Sequence, residues 1–219
     1  MSTDENAAEE LLRGPEGLGR RDMPTSWTRR PGIEPTPDFL AMIDALRALQ
    51  DDVTAAVPPP DVLVDTTKTL SELSERLRAY AAPERDQLTG RLITVPGRGQ
   101  TMSPVLHLDE WSEHHARGHV TFGRFYLGGN GAVHGGAIPL LFDEILGRLA
   151  NTGGRRPSRT AFLHVNYRSI TPIGVELQIE GRFEREEGRK RFLTAELRHG
   201  DTLCADAEGL FVQLKPGQP

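Results

Sequence analysis

The richest chemical pattern in this sequence is a run of glycines that leads into a histidine and, nine residues later, an aspartate. Residues 128–136 contain five glycines and end in His134-Gly135-Gly136, and Asp143 stands nine residues after His134. Glycine is costly inside a helix or strand but suits a turn where backbone must approach a ligand closely. A helix that begins here would direct its free N–H groups and its positive end at the same point. The pattern therefore predicts a site for an anion or a developing oxyanion at the start of this helix.

Two other glycine-rich motifs do not fit this run. No Lys-Ser or Lys-Thr pair follows the glycines, which excludes a phosphate-binding P-loop. The dinucleotide fingerprint G-x-G-x-x-G can be placed on Gly131 only with the wrong spacing.

The residues after the glycines predict one long helix over 136–151. At 100° per residue, one stripe of apolar side chains should face a sheet, and it comprises Ile138, Leu141, Phe142, Ile145 and Leu149. Asp143 lies off that stripe, among mostly small residues, which predicts that it faces a cleft that a second subunit could close. Glu144 stands four residues before Arg148, where an ordinary ion pair is expected.

The secondary structure that the sequence predicts differs between the first and second parts of the chain. Residues 1–100 predict an N-terminal helical extension or arm, with helices at 4–13, 37–56 and within 61–82, an irregular arm at 14–37, and Pro58-Pro59-Pro60 ending the second helix. Residues 101–215 predict one domain, in which strands at 118–127, 159–170, 174–185, 190–199 and 202–214 surround the single long helix. Gly188 and Gly200-Asp201 mark hairpin turns. One helix with an antiparallel meander indicates an α+β fold.

Composition narrows the class of protein. The formal net charge of −5 argues against a general nucleic-acid binder. With one cysteine, Cys204, the chain can form no internal disulfide, which suits a reducing compartment. The sequence shows no secretory signal and no apolar run long enough for a membrane span. We therefore expect a soluble, cytoplasmic protein with neither nucleic-acid nor membrane partners.

Two further groups of polar side chains could belong to the site. With a period of two, Thr160, Phe162, His164, Asn166 and Arg168 share one face of a strand, opposite a core face of Ala161, Leu163, Val165 and Tyr167. A hairpin tip gathers Arg185, Arg189, Lys190 and Arg191 in an otherwise acidic chain, where they could hold phosphate groups or simply be solvated.

The run HGGAIPLLFDEILG (134–147) resembles the signature of hotdog-fold acyl-CoA thioesterases of the phenylacetate-degradation (PaaI-like) type. The strand TAFLHVNYRSITPI (160–173) and the tip Glu187-Gly188-Arg189-Lys190 are similar to the mitochondrial long-chain thioesterase branch. The resemblance covers roughly residues 100–214. It implies a hotdog fold, in which an antiparallel sheet wraps a long central helix.

The resemblance also implies roles for single residues. Gly135 and Gly136 should offer backbone N–H groups to the thioester carbonyl, and Asp143 should act as general base or as nucleophile. Thr160 should orient water from the other subunit. The contacts to coenzyme A (CoA) should come from Asn166, Arg168, Arg189 and Lys190.

Several positions depart from this pattern or leave a choice open. Where many members of the family carry Asn six residues before the histidine, this chain has Gly128, and Asn130 is the nearby amide that we include among the substrate-binding candidates. Pro139 fits only if the helix begins at about Gly136 or later. His134 is included among the catalytic candidates, although we expect it to fix the turn rather than to act as base. Because His114, His115 and His119 lack a recognisable ligand spacing, no metal is expected.

These observations together predict an acyl-CoA thioesterase that needs no cofactor other than the CoA of its substrate and that forms a homodimer, with a tetramer also open. One alternative is a hotdog enoyl-CoA hydratase or dehydratase, which the spacing of Asp143 disfavours. The other is a non-catalytic module that binds acyl-CoA for regulation and docks a partner through the N-terminal helices.

Overall fold

The fold is described here from a computed structural model, which describes residues 35–218. Within that range the three long helices are α1 (Pro37–Ala55), α2 (Pro60–Arg78) and α3 (Ala137–Ala150). All three were predicted within a residue or two, apart from the end of α2. The predicted helix at 4–13 and nearly all of the arm at 14–37 lie outside the described residues. Among residues 35–218, none of the helices combines the length and the hydrophobicity that a membrane span requires.

Local sequence explains where α1 and α2 begin and end. The Thr36 hydroxyl accepts a hydrogen bond from the N–H of Phe39 at 3.2 Å, which caps the first turn of α1. Pro37 occupies the first turn, where its missing N–H has no intrahelical partner in any case. The run Pro58-Pro59-Pro60 separates the two helices, and Pro60 opens α2.

One antiparallel sheet of six strands forms the second part of the chain, in the order β1-β2-β6-β7-β8-β5. A two-stranded ribbon, β3-β4, lies apart from it. The strands are β1 (His107–Trp111), β2 (His115–Thr121), β3 (Leu127–Gly129), β4 (Ala132–Val133), β5 (Ser158–Tyr167), β6 (Glu176–Glu187), β7 (Lys190–His199) and β8 (Thr202–Gln213). The hairpin turns at Gly188 and Gly200 have φ of 60° and 55°, as a tight glycine turn requires.

Two parts of the strand prediction were wrong. The sequence does not indicate β1, because this edge strand has no buried residue and shows no clean alternation. The strand expected at 118–127 is β2, which ends at Thr121, and a short 3-10 turn at Arg124–Tyr126 interrupts the path to β3.

The core lies between α3 and one face of the sheet. Every member of the predicted apolar stripe of α3 is at most 2% exposed. These side chains pack against buried residues of the sheet such as Leu177, Leu193, Leu197 and Phe211. A helix packed against an antiparallel sheet in this way is the hotdog arrangement that the resemblance implied.

An irregularity in β5 overturns the predicted face of polar residues. Thr160 pairs with Phe211 and Phe162 with Leu210, so one extra residue bulges between them. Thr160 therefore lies on the side that faces α3, whereas Phe162, His164 and Asn166 lie on the opposite face. A bulge reverses the alternation that a strict period of two assumes.

Candidate active site

Asp143 and Thr160 meet in the structure. The Thr160 hydroxyl donates a hydrogen bond of 2.7 Å to Oδ1 of Asp143. The resemblance implied that Thr160 reaches Asp143 from a second subunit, but the contact here is made within one chain. Oδ2 of Asp143 accepts no hydrogen bond from any residue in 35–218, so one carboxylate oxygen is oriented and the other is open to water or substrate.

The first turn of α3 is held by His134 and Tyr167. Nδ1 of His134 accepts a hydrogen bond from the N–H of Gly136 at 3.0 Å, and the Tyr167 hydroxyl donates to the carbonyl of Gly135 at 2.7 Å. Because Nδ1 is an acceptor, the proton of the neutral ring is on Nε2. His134 thus fixes the turn in this structure. The N–H of Gly136, one of the two predicted oxyanion donors, is engaged by His134, which leaves the N–H of Gly135.

Asp143 and the glycine turn do not form one compact centre within a single chain. Asp143 is seven residues beyond Gly136 on α3, and a rise of 1.5 Å per residue separates them by about 10 Å along the axis. A reacting carbonyl must lie about 3 Å from both its nucleophile and its oxyanion donor. One chain alone therefore does not bring the two predicted halves of the site to one thioester.

A cavity of about 190 Å³ adjoins Asp143 and Thr160. Part of its wall is apolar, and it includes Ile93, Met102, Leu108, Trp111 and Phe211. The segment 93–103, which precedes the sheet, covers α3 at this point and contributes several of the lining residues. Residues 93–103 therefore form part of the wall of the candidate site.

The charged end of the cavity is a buried network around Glu144. Oε1 of Glu144 accepts hydrogen bonds from Nε of Arg98 at 2.8 Å and from Nε of Arg148, so the predicted pair of Glu144 and Arg148 is present. It is not an ordinary surface pair, because the side chains of Glu144 and Arg148 are 7% and 12% exposed. Burial acts to raise the pKa of Glu144, but Arg148 and Arg98 outweigh it, and the pKa is lowered.

Two predicted CoA contacts lie elsewhere. The Asn166 amide donates to Oδ1 of Asp206 at 2.8 Å, and Nε of Arg168 donates to Oδ2 of the same carboxylate. The hydrogen bond from Arg168 lowers the pKa of Asp206, with Asn166 adding to it against the opposing effect of burial. Both residues lie six or more positions beyond Thr160 in the chain, Asn166 within β5 and Arg168 just after its end. Asn166 lies on the sheet face turned away from α3, so within one chain it is not brought to Asp143.

The basic hairpin tip lies nearer to Thr160. Arg191 and Thr160 both pair with Phe211, one on each side of β8, which places the tip about two strand spacings, or roughly 10 Å, from Thr160. Arg189 donates to the carbonyl of Gln213 at 3.0 Å, and Lys190 is exposed. Arg191 is 1% exposed and donates to the carbonyls of Ala150 and Arg156, so it stabilises the fold.

The position of Gly128 explains one departure from the family pattern. A Cβ atom at Gly128 would lie 2.7 Å from Cα of His134, so this backbone admits no asparagine there. Asn130 has φ of 49° and is exposed in the turn that joins β3 and β4.

The three histidines considered as possible metal ligands have other contacts, and the ring of His114 packs edge-on against Phe183. His115 lies 3.0 Å from Glu180, and His119 lies 3.0 Å from Asp109. Residues 35–218 hold no cluster of three or more His, Cys, Asp or Glu side chains that could bind a metal ion.

Sequence reasoning missed Arg98, Tyr167 and Asp206. Arg98 lies 46 residues from Glu144 in the chain, and no local pattern connects them. Tyr167 was assigned to the core, yet it is 55% exposed and bonds the glycine turn. The alternation of β8, in which Ala205 and Ala207 are buried, could have placed Asp206 on the outer face.

Known proteins resemble the second half of this chain. Residues 130–205 match the Thioesterase superfamily. The acyl-coenzyme A thioesterase THEM4 of Bos taurus is 36% identical over 96 residues, which cover 43% of this chain and 39% of the bovine protein. The protein of the same name from Xenopus laevis is 35% identical over 98 residues, covering 43% of each chain. This chain thus spans about two fifths of the length of these relatives.

A solved structure extends the likeness beyond the matched segment. A crystal structure of a thioesterase superfamily protein superposes with a TM-score of 0.69 and 28% sequence identity, covering 85% of this chain and 98% of the other. The sheet order, the buried helix and this superposition show that the second half of this chain has the hotdog fold, and residues 130–205 within it match the Thioesterase superfamily.

Proposed function

We propose that this protein is an acyl-CoA thioesterase that hydrolyses the thioester of an acyl-CoA to free CoA and a carboxylic acid. The observation that carries the proposal is the pair of Asp143 and Thr160 at the mouth of a partly apolar cavity. An apolar cavity suits an acyl chain, and a carboxylate at its mouth suits the activation of water. The curated relatives that match this region are named acyl-coenzyme A thioesterases.

In the proposed reaction Asp143 takes a proton from water, and the resulting hydroxide attacks the thioester carbonyl. Thr160 holds one carboxylate oxygen, which leaves the other for the water. The backbone N–H of Gly135, at the positive end of a helix, stabilises the oxyanion, a contribution of about 3 kcal/mol for a single donor of this kind. The carbon–sulfur bond then breaks, and the thiolate leaves as CoA once it is protonated. Direct attack by Asp143, through a mixed anhydride, would use the same groups.

We propose further that the working unit is a homodimer. Because Asp143 lies eight residues beyond Gly135, or about 12 Å along the axis of α3 at 1.5 Å per residue, a thioester can reach both only if they come from different chains. The unpaired edge of the sheet at β5 carries exposed Phe162 and Tyr167, which a second copy could cover.

The first experiment measures thiol release from a panel of acyl-CoA substrates of increasing chain length. We expect release to depend on Asp143. An enoyl-CoA in the same panel distinguishes the hydratase alternative, because loss of the double-bond absorbance without thiol release would contradict hydrolysis. Tight binding of acyl-CoA without any release would instead identify a binding module.

The second experiment tests the shared site by mixing two inactive variants. Asp143→Asn removes the base, and Gly135→Pro removes the N–H donor. If each site takes one group from each chain, a random mixture should regain about a quarter of wild-type activity through mixed dimers. A mixture as inactive as its components would show that both groups act within one chain.

A further inference from the structure

The cavity beside Asp143 has an exposed end and a buried end. At the exposed end, Asp143 and Thr160 are joined by their 2.7 Å hydrogen bond. At the other end, Asn151 and Ser158 are 3% and 1% exposed, and Oδ1 of Asn151 accepts hydrogen bonds from the N–H and the hydroxyl of Ser158. All four residues line the same cavity. The cavity is therefore a slot that opens at Asp143 and ends at the contact between Asn151 and Ser158.

Gly147 lies halfway along this slot. Asp143, Gly147 and Asn151 follow one another at intervals of four residues, so they occupy successive turns on one side of α3 and its C-terminal cap. At 1.5 Å per residue, Gly147 is about 6 Å and Asn151 about 12 Å beyond Asp143 along the helix axis. Because all three line the cavity, the slot runs along this side of the helix.

Packing around Gly147 does not require a glycine. Apart from proline, glycine is the least favourable residue inside a helix. A Cβ atom at this position would have one heavy atom of the described residues within 4 Å, apart from its chain neighbours and the backbone of its own helix. That atom is Cε1 of Phe211 at 3.6 Å, an ordinary van der Waals contact. The space that a side chain would fill at position 147 is therefore part of the slot.

The wall around Gly147 suits an alkyl chain. The ring of Phe211 lies beside Gly147, and Ile93, Leu108 and Trp111 supply further apolar surface to the same cavity. Apolar walls with a few polar groups at one end are typical of sites for small molecules with an apolar part.

Charged groups in the wall are paired with one another. Nε of Arg98 and Nε of Arg148 both donate to Oε1 of Glu144. An alkyl chain in the slot therefore lies against an ion-pair network rather than against an isolated carboxylate, whose burial would be costly.

We propose that the slot receives the acyl chain of the substrate and that Gly147 sets the chain length that the protein accepts. This inference rests on the proposed thioesterase function and names its substrate class, acyl-CoA of medium chain length. An extended chain advances about 1.2 Å per bond, so a slot of about 12 Å takes roughly eight to ten carbons. The chain would pass Gly147 at about its fifth or sixth carbon, where any larger side chain would close the slot.

The test measures kcat/KM for a series of saturated substrates from butyryl-CoA to myristoyl-CoA. In the wild-type protein kcat/KM should rise up to about decanoyl-CoA, by as much as about fourfold per added methylene, and then level off. Gly147→Val fills the space beside Phe211 but is too short to reach Asp143 one turn away. In this variant the ratio of kcat/KM for decanoyl-CoA to that for hexanoyl-CoA should fall from about tenfold or more to near one. Butyryl-CoA, which is too short to reach Gly147, should change least.

Two alanine variants separate the slot from the stability of the fold. Gly147→Ala improves helix propensity, so its melting temperature should rise by about 2–4 °C while the ratio of decanoyl-CoA to hexanoyl-CoA falls part of the way. Ser74→Ala, on the exposed helix α2, also improves helix propensity but lies away from the cavity, and the ratio should not change. An unchanged ratio in both Gly147 variants, or an equal loss of turnover at every chain length, would overturn the proposal.

A binding measurement separates this inference from the proposed function. Calorimetry with thioether analogues of acyl-CoA, which cannot be hydrolysed, should show that the wild-type protein prefers a ten-carbon chain to a six-carbon chain and that Gly147→Val does not. If these preferences hold but no acyl-CoA releases thiol, the thioesterase function fails and the slot stands. If acyl-CoA is hydrolysed but Gly147→Val keeps the wild-type chain-length preference, the role of Gly147 fails alone.

A second copy of the chain is the other candidate to fill the space beside Gly147. Light scattering on wild type and Gly147→Val distinguishes the two, and we expect the same mass for both. A lower mass for the variant, with no shift in its chain-length preference, would assign Gly147 to a subunit interface and refute its role in the slot.

Discussion

Asp143 and Glu144 are neighbouring carboxylates on one helix, and the structure gives them opposite surroundings. Asp143 is exposed at the mouth of the cavity, and the single hydrogen bond that it accepts in the described range comes from a neutral hydroxyl. Glu144 is 7% exposed and is held by two guanidinium groups. A step of 100° around the helix axis separates the two environments.

The difference shows how one helix can leave one carboxylate open to water and hold its neighbour in the fold. A carboxylate with a free oxygen beside a cavity can accept a proton from water. A carboxylate with one oxygen that accepts hydrogen bonds from both Arg98 and Arg148 stabilises the fold instead. Removing one partner of such a buried network is costly because it leaves the other charges uncompensated.

The largest effect on activity should come from Asp143→Asn. We expect thiol release to fall by about 10²–10⁴-fold, the usual contribution of a general base. The free energy of unfolding should change by about 0.5 kcal/mol or less, since the side chain is exposed. Asp109→Asn, which alters an exposed carboxylate paired with His119, is the matched control and should retain full activity. Turnover by Asp143→Asn at the wild-type rate would remove Asp143 from the mechanism.

The largest effect on stability should come from Glu144→Gln. Loss of the carboxylate leaves the buried guanidinium group of Arg148 without the charge of Glu144, at a cost of about 3–5 kcal/mol in urea denaturation. Glu196→Gln breaks an exposed pair with Arg198 and should cost about 1 kcal/mol or less. Equal costs for the two substitutions would contradict the burial-based account of Glu144.

The difference in stability between the wild-type protein and Glu144→Gln should depend on pH. Because the pKa of Glu144 is lowered in the fold, its ionised form contributes stability above the ordinary carboxyl range. That contribution is lost as pH falls toward the lowered pKa, so the difference in unfolding free energy between wild type and Glu144→Gln should narrow in acid. A difference that stays constant from neutral to acid pH would refute the role of the ionised group.

A smaller effect should follow from Thr160→Val, which keeps the shape of the side chain but removes the hydroxyl. Loss of one hydrogen bond to a charged group corresponds to about tenfold or somewhat more in kcat. Thr160→Ser keeps the hydroxyl and should restore most of the rate. Equal rates in the valine and serine variants would mean that the contact to Asp143 does not matter for turnover.

The smallest effect should follow from Tyr167→Phe, at the other end of β5. It removes the hydrogen bond to the Gly135 carbonyl, worth about 0.5–1.5 kcal/mol, and should lower kcat/KM by a few-fold through the position of the glycine turn. Tyr80→Phe, at a side chain that is 83% exposed, is the control. If the two substitutions behave alike, Tyr167 does not position the turn.

By itself, the sequence determined the long helix, its buried stripe, the three hairpin-connected strands and the glycine turn before Asp143. These features follow from local periodicity and from glycine's tolerance of positive φ, which a reading of single segments captures. The prediction that Pro139 requires a late helix start was also confirmed, since α3 begins at Ala137.

Only the tertiary structure decided what each neighbouring carboxylate does. Arg98 reaches Glu144 from a segment far earlier in the chain, and this long-range contact converts an expected surface pair into a buried network. The bulge in β5 turned Thr160 toward Asp143 and moved Asn166 to the other face, because a single extra residue reverses a period of two. Spacing in the sequence therefore located the helix that carries Asp143, whereas packing between distant segments placed Asp143 beside the cavity and Glu144 in a buried network.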